Sequence, residues 1–114
     1  MSPITTHILD TGSGRPAQGV RTTLSYFNDQ GEWEDLSTRH TNEDGRIPDL
    51  IDEDMEFHSG VYRLSFDTGG YFDSRNEASF YPEVSILFQV KDPSEHYHVP
   101  LLLNRYGYST YRGS

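Results

Sequence analysis

Apolar and polar residues alternate with period two along most of the chain, the pattern of strands that bury one face. Residues 20–27 set Val20, Thr22, Leu24 and Tyr26 against Arg21, Thr23, Ser25 and Phe27. Residues 60–67 turn Tyr62, Leu64 and Phe66 inward, and residues 84–90 gather Val84, Ile86, Phe88 and Val90 on one face. A shorter strand covers residues 4–10, with Ile4, Ile8 and Leu9 as apolar members and His7 on the side of Thr5 and Leu9. Asn28-Asp29-Gln30-Gly31 closes a hairpin between 20–27 and a strand over 33–41 anchored by Trp33. Residues 11–16 read as a loop, and 41–46 as a turn whose Asp44-Gly45 pair delivers Arg46 just beyond it. The acidic stretch ahead of residue 57 reads as a solvated loop, and one short helix is expected over 71–78, after Gly69-Gly70.

The final stretch is the densest. As a strand, residues 96–103 put His96, His98, Pro100 and Leu102 on one face and Tyr97, Val99, Leu101 and Leu103 on the other. Asn104-Arg105 turns the chain into a second β-rich run over 106–112, so the end reads as a hairpin. Short strands at this spacing, little helix and no internal repeat predict an antiparallel β-sandwich.

Composition narrows the function classes. With 114 residues the chain reads as one domain over 1–114, able to bury roughly two-thirds of its unfolded surface. Only 33% of residues are hydrophobic and eight are Tyr, which suits thin sheets with amphipathic aromatics. A formal charge of −9 disfavours nucleic acid and anionic membranes as partners, and no run approaches the ~20 apolar residues of a membrane span. Without cysteine there is no disulfide, thiolate chemistry or Cys-ligated metal. No secretory signal pattern opens the sequence, so the expected compartment is the cytoplasm, with a peroxisome open for a eukaryotic source.

Candidate chemistry concentrates at the histidines. His96 and His98 would stand about 7 Å apart on one strand face, where a metal could bridge them. Two imidazoles make an incomplete metal site, and no third ligand is signalled by spacing. His7 alone reads as an ordinary packed or surface histidine, and Arg46 beside its turn as a solvated charge. No Gly-x-Ser-x-Gly elbow accompanies the serines, and the carboxylates show no acid/base pairing distinct from surface charge.

Four stretches, in collinear order, change that weighting. Thr5-Thr6-His7-Ile8-Leu9-Asp10 with Gly14-Arg15-Pro16-Ala17, Thr41-Asn42-Glu43-Asp44-Gly45-Arg46, His96-Tyr97-His98-Val99-Pro100-Leu101-Leu102-Leu103 and Tyr108-Ser109-Thr110-Tyr111-Arg112-Gly113-Ser114 resemble the 5-hydroxyisourate hydrolases. These are the transthyretin-like enzymes of urate degradation. Transthyretin resembles the same scaffold but lacks the Tyr-Arg-Gly-Ser ending and carries other residues where His7, Arg46 and His98 stand. Where the family reads Ser-Pro after the apolar run, this chain has Asn104-Arg105.

The resemblance implies an all-β, transthyretin-like sandwich of two four-stranded sheets with one short helix, assembled as a homotetramer with sites between dimers. It implies hydrolysis of 5-hydroxyisourate to 2-oxo-4-hydroxy-4-carboxy-5-ureidoimidazoline without metal or other cofactor. His7 and His98 match the family's catalytic histidines and Arg46 its arginine, with Tyr111 and Ser114 expected to join them in binding substrate. The terminal tetrapeptide is expected to reach a fixed place beside them. A transthyretin-type carrier would use the same channel without needing His7, Arg46 and His98 together. A purely structural sandwich would leave the terminal tetrapeptide unexplained.

Overall fold

A computed structural model describes residues 2–114. Its strands are β1 (Ile4–Asp10), β2 (Arg15–Pro16), β3 (Arg21–Phe27), β4 (Trp33–His40) and β5 (Arg46–Ile47), followed by β6 (Gly60–Phe66). Helix α1 (Thr68–Ser74) precedes β7 (Val84–Val90), β8 (Tyr97–Asn104) and β9 (Gly107–Thr110). One sheet runs β4-β3-β6-β7, antiparallel throughout. The other runs β2-β1-β8-β9, with the short β5 also paired to β1. Two sheets and one short helix is the expected sandwich, with five strands rather than four in the second sheet because β5 joins the edge of β1 beside β2.

The inward residues are those of the period-two pattern. Leu24, Tyr62, Leu64, Phe66, Val84, Ile86 and Val90 from one sheet form a buried core with Ile4, Ile8, Tyr97, Val99, Leu101 and Leu103 from the other. Burying a Val, Leu, Ile or Phe side chain stabilises by about 1.5–3 kcal/mol, so this core supplies the main driving force. On β1 the buried face is Ile4, Thr6, Ile8 and Asp10, which leaves Thr5, His7 and Leu9 half-buried on the other.

Three differences from the sequence reading matter. First, the central pair of the second sheet, β1 and β8, is parallel rather than antiparallel. These strands lie at opposite ends of the chain, so no hairpin dictates their direction. Second, the loop expected over 11–16 contains the two-residue strand β2, and Arg46-Ile47 forms β5 on the same side of β1. Third, α1 begins three residues ahead of the expected 71–78. β6 stops at Phe66, and the Asp67 carboxylate accepts the Gly70 N–H at 3.1 Å as an N-cap. Buried Asp10 ties α1 to the sheet: its carboxylate accepts the Tyr71 hydroxyl at 2.9 Å and the Gly12 and Ser13 amides at 3.0 and 3.2 Å. Burial and that carboxylate push the Tyr71 hydroxyl up to about 12.

Candidate active site

The parallel register decides which polar groups meet. It sets Thr5 opposite His98 and His7 opposite Pro100, on the face of the sheet turned away from the core. On the other side of β1, β5 sets Arg46 opposite His7. The turn that delivers Arg46 is organised by Asn42, whose side-chain oxygen accepts the Asp44 and Arg46 amides at 2.9 and 3.0 Å. Gly45 holds φ at +72°, a region other residues resist, and its carbonyl accepts the Ile8 amide at 2.8 Å. A Cβ at Gly45 would strike the Ile8 carbonyl oxygen, so the glycine is what lets this turn lie against β1.

The end of the chain closes against the same strands. Gly113 N–H donates to the His98 carbonyl at 2.8 Å, as an isolated antiparallel bridge. A Cβ there would stand 2.6 Å from His98 Cδ2, so Gly113 backbone packs directly on the imidazole. Arg112 turns away from the histidine face: its guanidinium donates to Glu95 Oε1 at 3.1 Å and to the His96 carbonyl at 3.3 Å, and lies 4.5 Å from the Tyr97 ring centroid. The tetrapeptide is thus fastened by Arg112 and Gly113, and Ser114 falls beside the histidines.

Between them lies a recess of about 280 Å³ lined by Thr5, Thr6, Arg46, Ile47, Pro48, His96, His98 and Ser114. His7 borders this cluster from β1, half-buried next to Arg46. Among the described residues Arg46 makes no ion pair, so its cation is available to a ligand. Burial, then the Arg46 guanidinium, then His7 and His96 hold the His98 imidazole below its ordinary 6.5. Burial and Arg46 likewise lower His7, against the opposing pull of Asp44. Both rings are therefore neutral at pH 7 and able to take a proton. Thr5 Oγ1 lies 2.8 Å from His98 Nδ1 and 3.0 Å from His96 Nε2.

Of the residues singled out in the sequence, His7, Arg46, His98 and Ser114 come together. Tyr111 does not line this recess. It is exposed and borders a neighbouring groove of about 290 Å³ with Ile86, Phe88, Val99 and Arg112, which His98 also reaches. Sequence reasoning missed Thr5 as a hydrogen-bond partner and Gly113 as packing for His98. Thr5 shares a face with His7 by simple alternation, but its pairing with His98 depends on the parallel register. Among the described residues no group of three or more His, Asp or Glu gathers as a metal ligand set.

A two-sheet β-fold whose imidazoles and free guanidinium converge on one recess defines the class of protein. The chain matches the HIUase/Transthyretin family over residues 4–113 and belongs to it. It is 49% identical over 111 residues to the 5-hydroxyisourate hydrolase of Salmonella dublin, across 97% of this chain and 80% of that one. The solved structure of Klebsiella pneumoniae 5-hydroxyisourate hydrolase superposes with a TM-score of 0.83 at 35% identity, covering 97% and 92% of the two chains. Sea bream transthyretin in complex with thyroxine superposes with a TM-score of 0.92 at 32% identity, covering 98% and 95%.

Proposed function

We propose that the chain is a 5-hydroxyisourate hydrolase of urate degradation, forming 2-oxo-4-hydroxy-4-carboxy-5-ureidoimidazoline. The observation that carries this reading is the convergence of two half-buried imidazoles on a guanidinium that makes no ion pair among the described residues, in a molecule of net charge −9. Ring opening by water needs those groups. As water adds to a ring carbonyl, a base takes its proton and a cation faces the developing oxyanion. The C–N bond then breaks and the departing nitrogen takes a proton. In this reading His7 and His98 supply the imidazoles that meet the substrate and its protons, and Arg46 offers its fork to the oxyanion and the electron-rich ring. Ser114 and Tyr111 contribute hydrogen bonds to the substrate, Tyr111 from the adjoining groove.

A homotetramer with its sites between dimers belongs to the same reading. A recess of about 280 Å³ sits at the small end of ligand pockets, and a second copy laid over it would close it. β7 and β9 each end a sheet with one ladder edge unpaired, and Leu87 and Phe80 are 61% and 70% exposed, as expected of surfaces that pair with further copies. A cytoplasmic site of action completes the reading.

The higher superposition on transthyretin favours a second reading, a carrier of small aromatic ligands, since a shared fold does not fix activity. One experiment separates them. 5-Hydroxyisourate is generated afresh and its ultraviolet band followed with and without the protein. The hydrolase reading expects decay to accelerate in proportion to protein concentration; decay at the spontaneous rate, with ligand merely bound, favours the carrier.

A further inference from the structure

Thr5 stands between two imidazoles in a way the hydrolysis so far leaves unused. His96 and His98 rings lie 18° from parallel with centroids 6.5 Å apart, and the Thr5 hydroxyl bridges His98 Nδ1 and His96 Nε2 at 2.8 and 3.0 Å. A threonine hydroxyl has one proton to give and accepts through its lone pairs. Between two neutral imidazoles it therefore has two consistent arrangements. In the first it accepts from His98 Nδ1–H and donates to His96 Nε2, which leaves His98 Nε2 a bare lone pair. In the second both bonds reverse, and His98 Nε2 carries the proton.

Resting on the hydrolase reading, we infer that Thr5 and His96 form with His98 a proton relay that converts His98 Nε2 from base to acid within one turnover. The balance closes. As the water oxygen bonds to the ring carbonyl, its proton goes to His98 Nε2, His98 Nδ1–H passes to Thr5 Oγ1, and the Thr5 proton passes to His96 Nε2. His96 is then an imidazolium and His98 a neutral ring with Nε2–H. When the ring C–N bond breaks, Nε2–H goes to the departing nitrogen. His96 returns its proton through Thr5 to His98 Nδ1, and all three residues regain their starting protonation.

Location explains why His96 holds the charge. His98 is half-buried and faces Arg46 and His7, so an imidazolium there is opposed by burial and by like charge. His96 is exposed to water just ahead of β8. Glu95 adjoins it in the chain, and the Arg112 guanidinium, from the terminal segment, is engaged with Glu95 and with the His96 carbonyl. The charged and titratable groups around the relay are thus Arg46, His7, Glu95 and Arg112. Thr5 and His96 are positioning and proton-storing residues in this scheme; His98 Nε2 carries both proton transfers, while His7 and Arg46 face the substrate and its developing charge.

The test compares Thr5→Val, which keeps shape and loses the hydroxyl, with Thr5→Ser, which keeps it, and His96→Gln, which hydrogen-bonds but stores no proton. Turnover of 5-hydroxyisourate is measured against pH, and the imidazole ¹⁵N shifts of His98 are recorded in the resting protein. The relay predicts that kcat falls about tenfold or more in Thr5→Val and His96→Gln with KM little changed, and that Thr5→Ser retains most of it. It also predicts that Thr5→Val shifts the His98 ¹⁵N resonances toward a single tautomer. Should Thr5→Val fail to fold, the Thr5→Ser and His96→Gln kinetics decide. An active wild type with unaffected kcat in Thr5→Val and His96→Gln, or a loss confined to KM, overturns the relay alone. A wild type that does not accelerate decay overturns the hydrolase reading, and the relay's chemical role with it.

Discussion

Two depressions on this molecule make an instructive pair. The larger, about 620 Å³, lies at the end of β3 and β6 and is lined by Asp29, Glu34, Glu56, His58 and Tyr26 among others. The smaller, about 280 Å³, holds Arg46, His96, His98 and Ser114. Size would favour the first. Yet its carboxylates repel an anionic or electron-rich ligand, and its one imidazole, His58, is exposed and sits 3.4 Å from Glu56. In the second, burial and then the Arg46 cation hold His98, and His7 at the border of the recess, below the ordinary imidazole value. Volume offers a place to bind, whereas converging charge and proton-transfer groups offer chemistry.

Removing one imidazole from each depression tests that contrast with the largest expected effect. His98→Ala should lower kcat/KM for 5-hydroxyisourate by about 10²–10⁴-fold while the far-ultraviolet β signature persists, since a positioned acid or base is worth that much. His58→Ala should leave kcat/KM within about twofold, as surface substitutions away from special features do. Equal losses at the two sites would erase the distinction.

Gly113→Ala comes next. Its Cβ would meet His98 Cδ2 at 2.6 Å and Pro100 Cγ at 3.2 Å, forcing either the imidazole or the terminal strand to move. A displacement near 1 Å can cost about 10²-fold in rate, so kcat should fall on that scale with little change in Tm. A fully active Gly113→Ala would mean that the terminal segment does not position His98.

A smaller loss is expected from Arg46→Lys, which keeps the cation and gives up the planar fork. About tenfold in kcat/KM measures the fork, and near-full activity would reduce Arg46 to a long-range field.

The smallest effect sharpens the comparison from outside both depressions. Tyr71→Phe removes the hydroxyl partner of buried Asp10 and leaves a carboxylate oxygen without it. Unfolding should show a loss of about 1–3 kcal/mol with kcat/KM unchanged.

Much of this was legible in the chain. Alternation in 60–67 and 84–90 located the core strands, and the histidine face of β8 followed from the same period. Local pattern left His7 and Arg46 as ordinary groups, and it was the family resemblance that singled them out with His98 and Ser114 before their meeting was visible. Three features were not readable, for physical reasons. The β1–β8 register joins residues about ninety positions apart, as in the Thr5–His98 bond, and no local signal encodes such pairing. Asp67 looked like the end of a strand, but its carboxylate finds the Gly70 amide and starts α1 early. Gly113 makes its close approach to a ring brought from β8, a contact that no local pattern signals.

The central claim is that imidazoles kept neutral by burial and Arg46 carry out the chemistry of the smaller recess. It is tested most directly by the acid limb of the kcat/KM profile for 5-hydroxyisourate, measured in wild type and in Arg46→Gln beside an NMR titration of His7 and His98. With a neutral imidazole as the proposed base, activity should be lost as pH falls through its pKa. Because His7 and His98 are both lowered, that loss should fall below 6.5 and coincide with one of their titrations. Removing the Arg46 charge lifts a force that disfavours the imidazolium, so in Arg46→Gln both titrations and the acid limb should move upward together. An acid limb that follows neither imidazole, or one that stays in place in Arg46→Gln, would contradict the account.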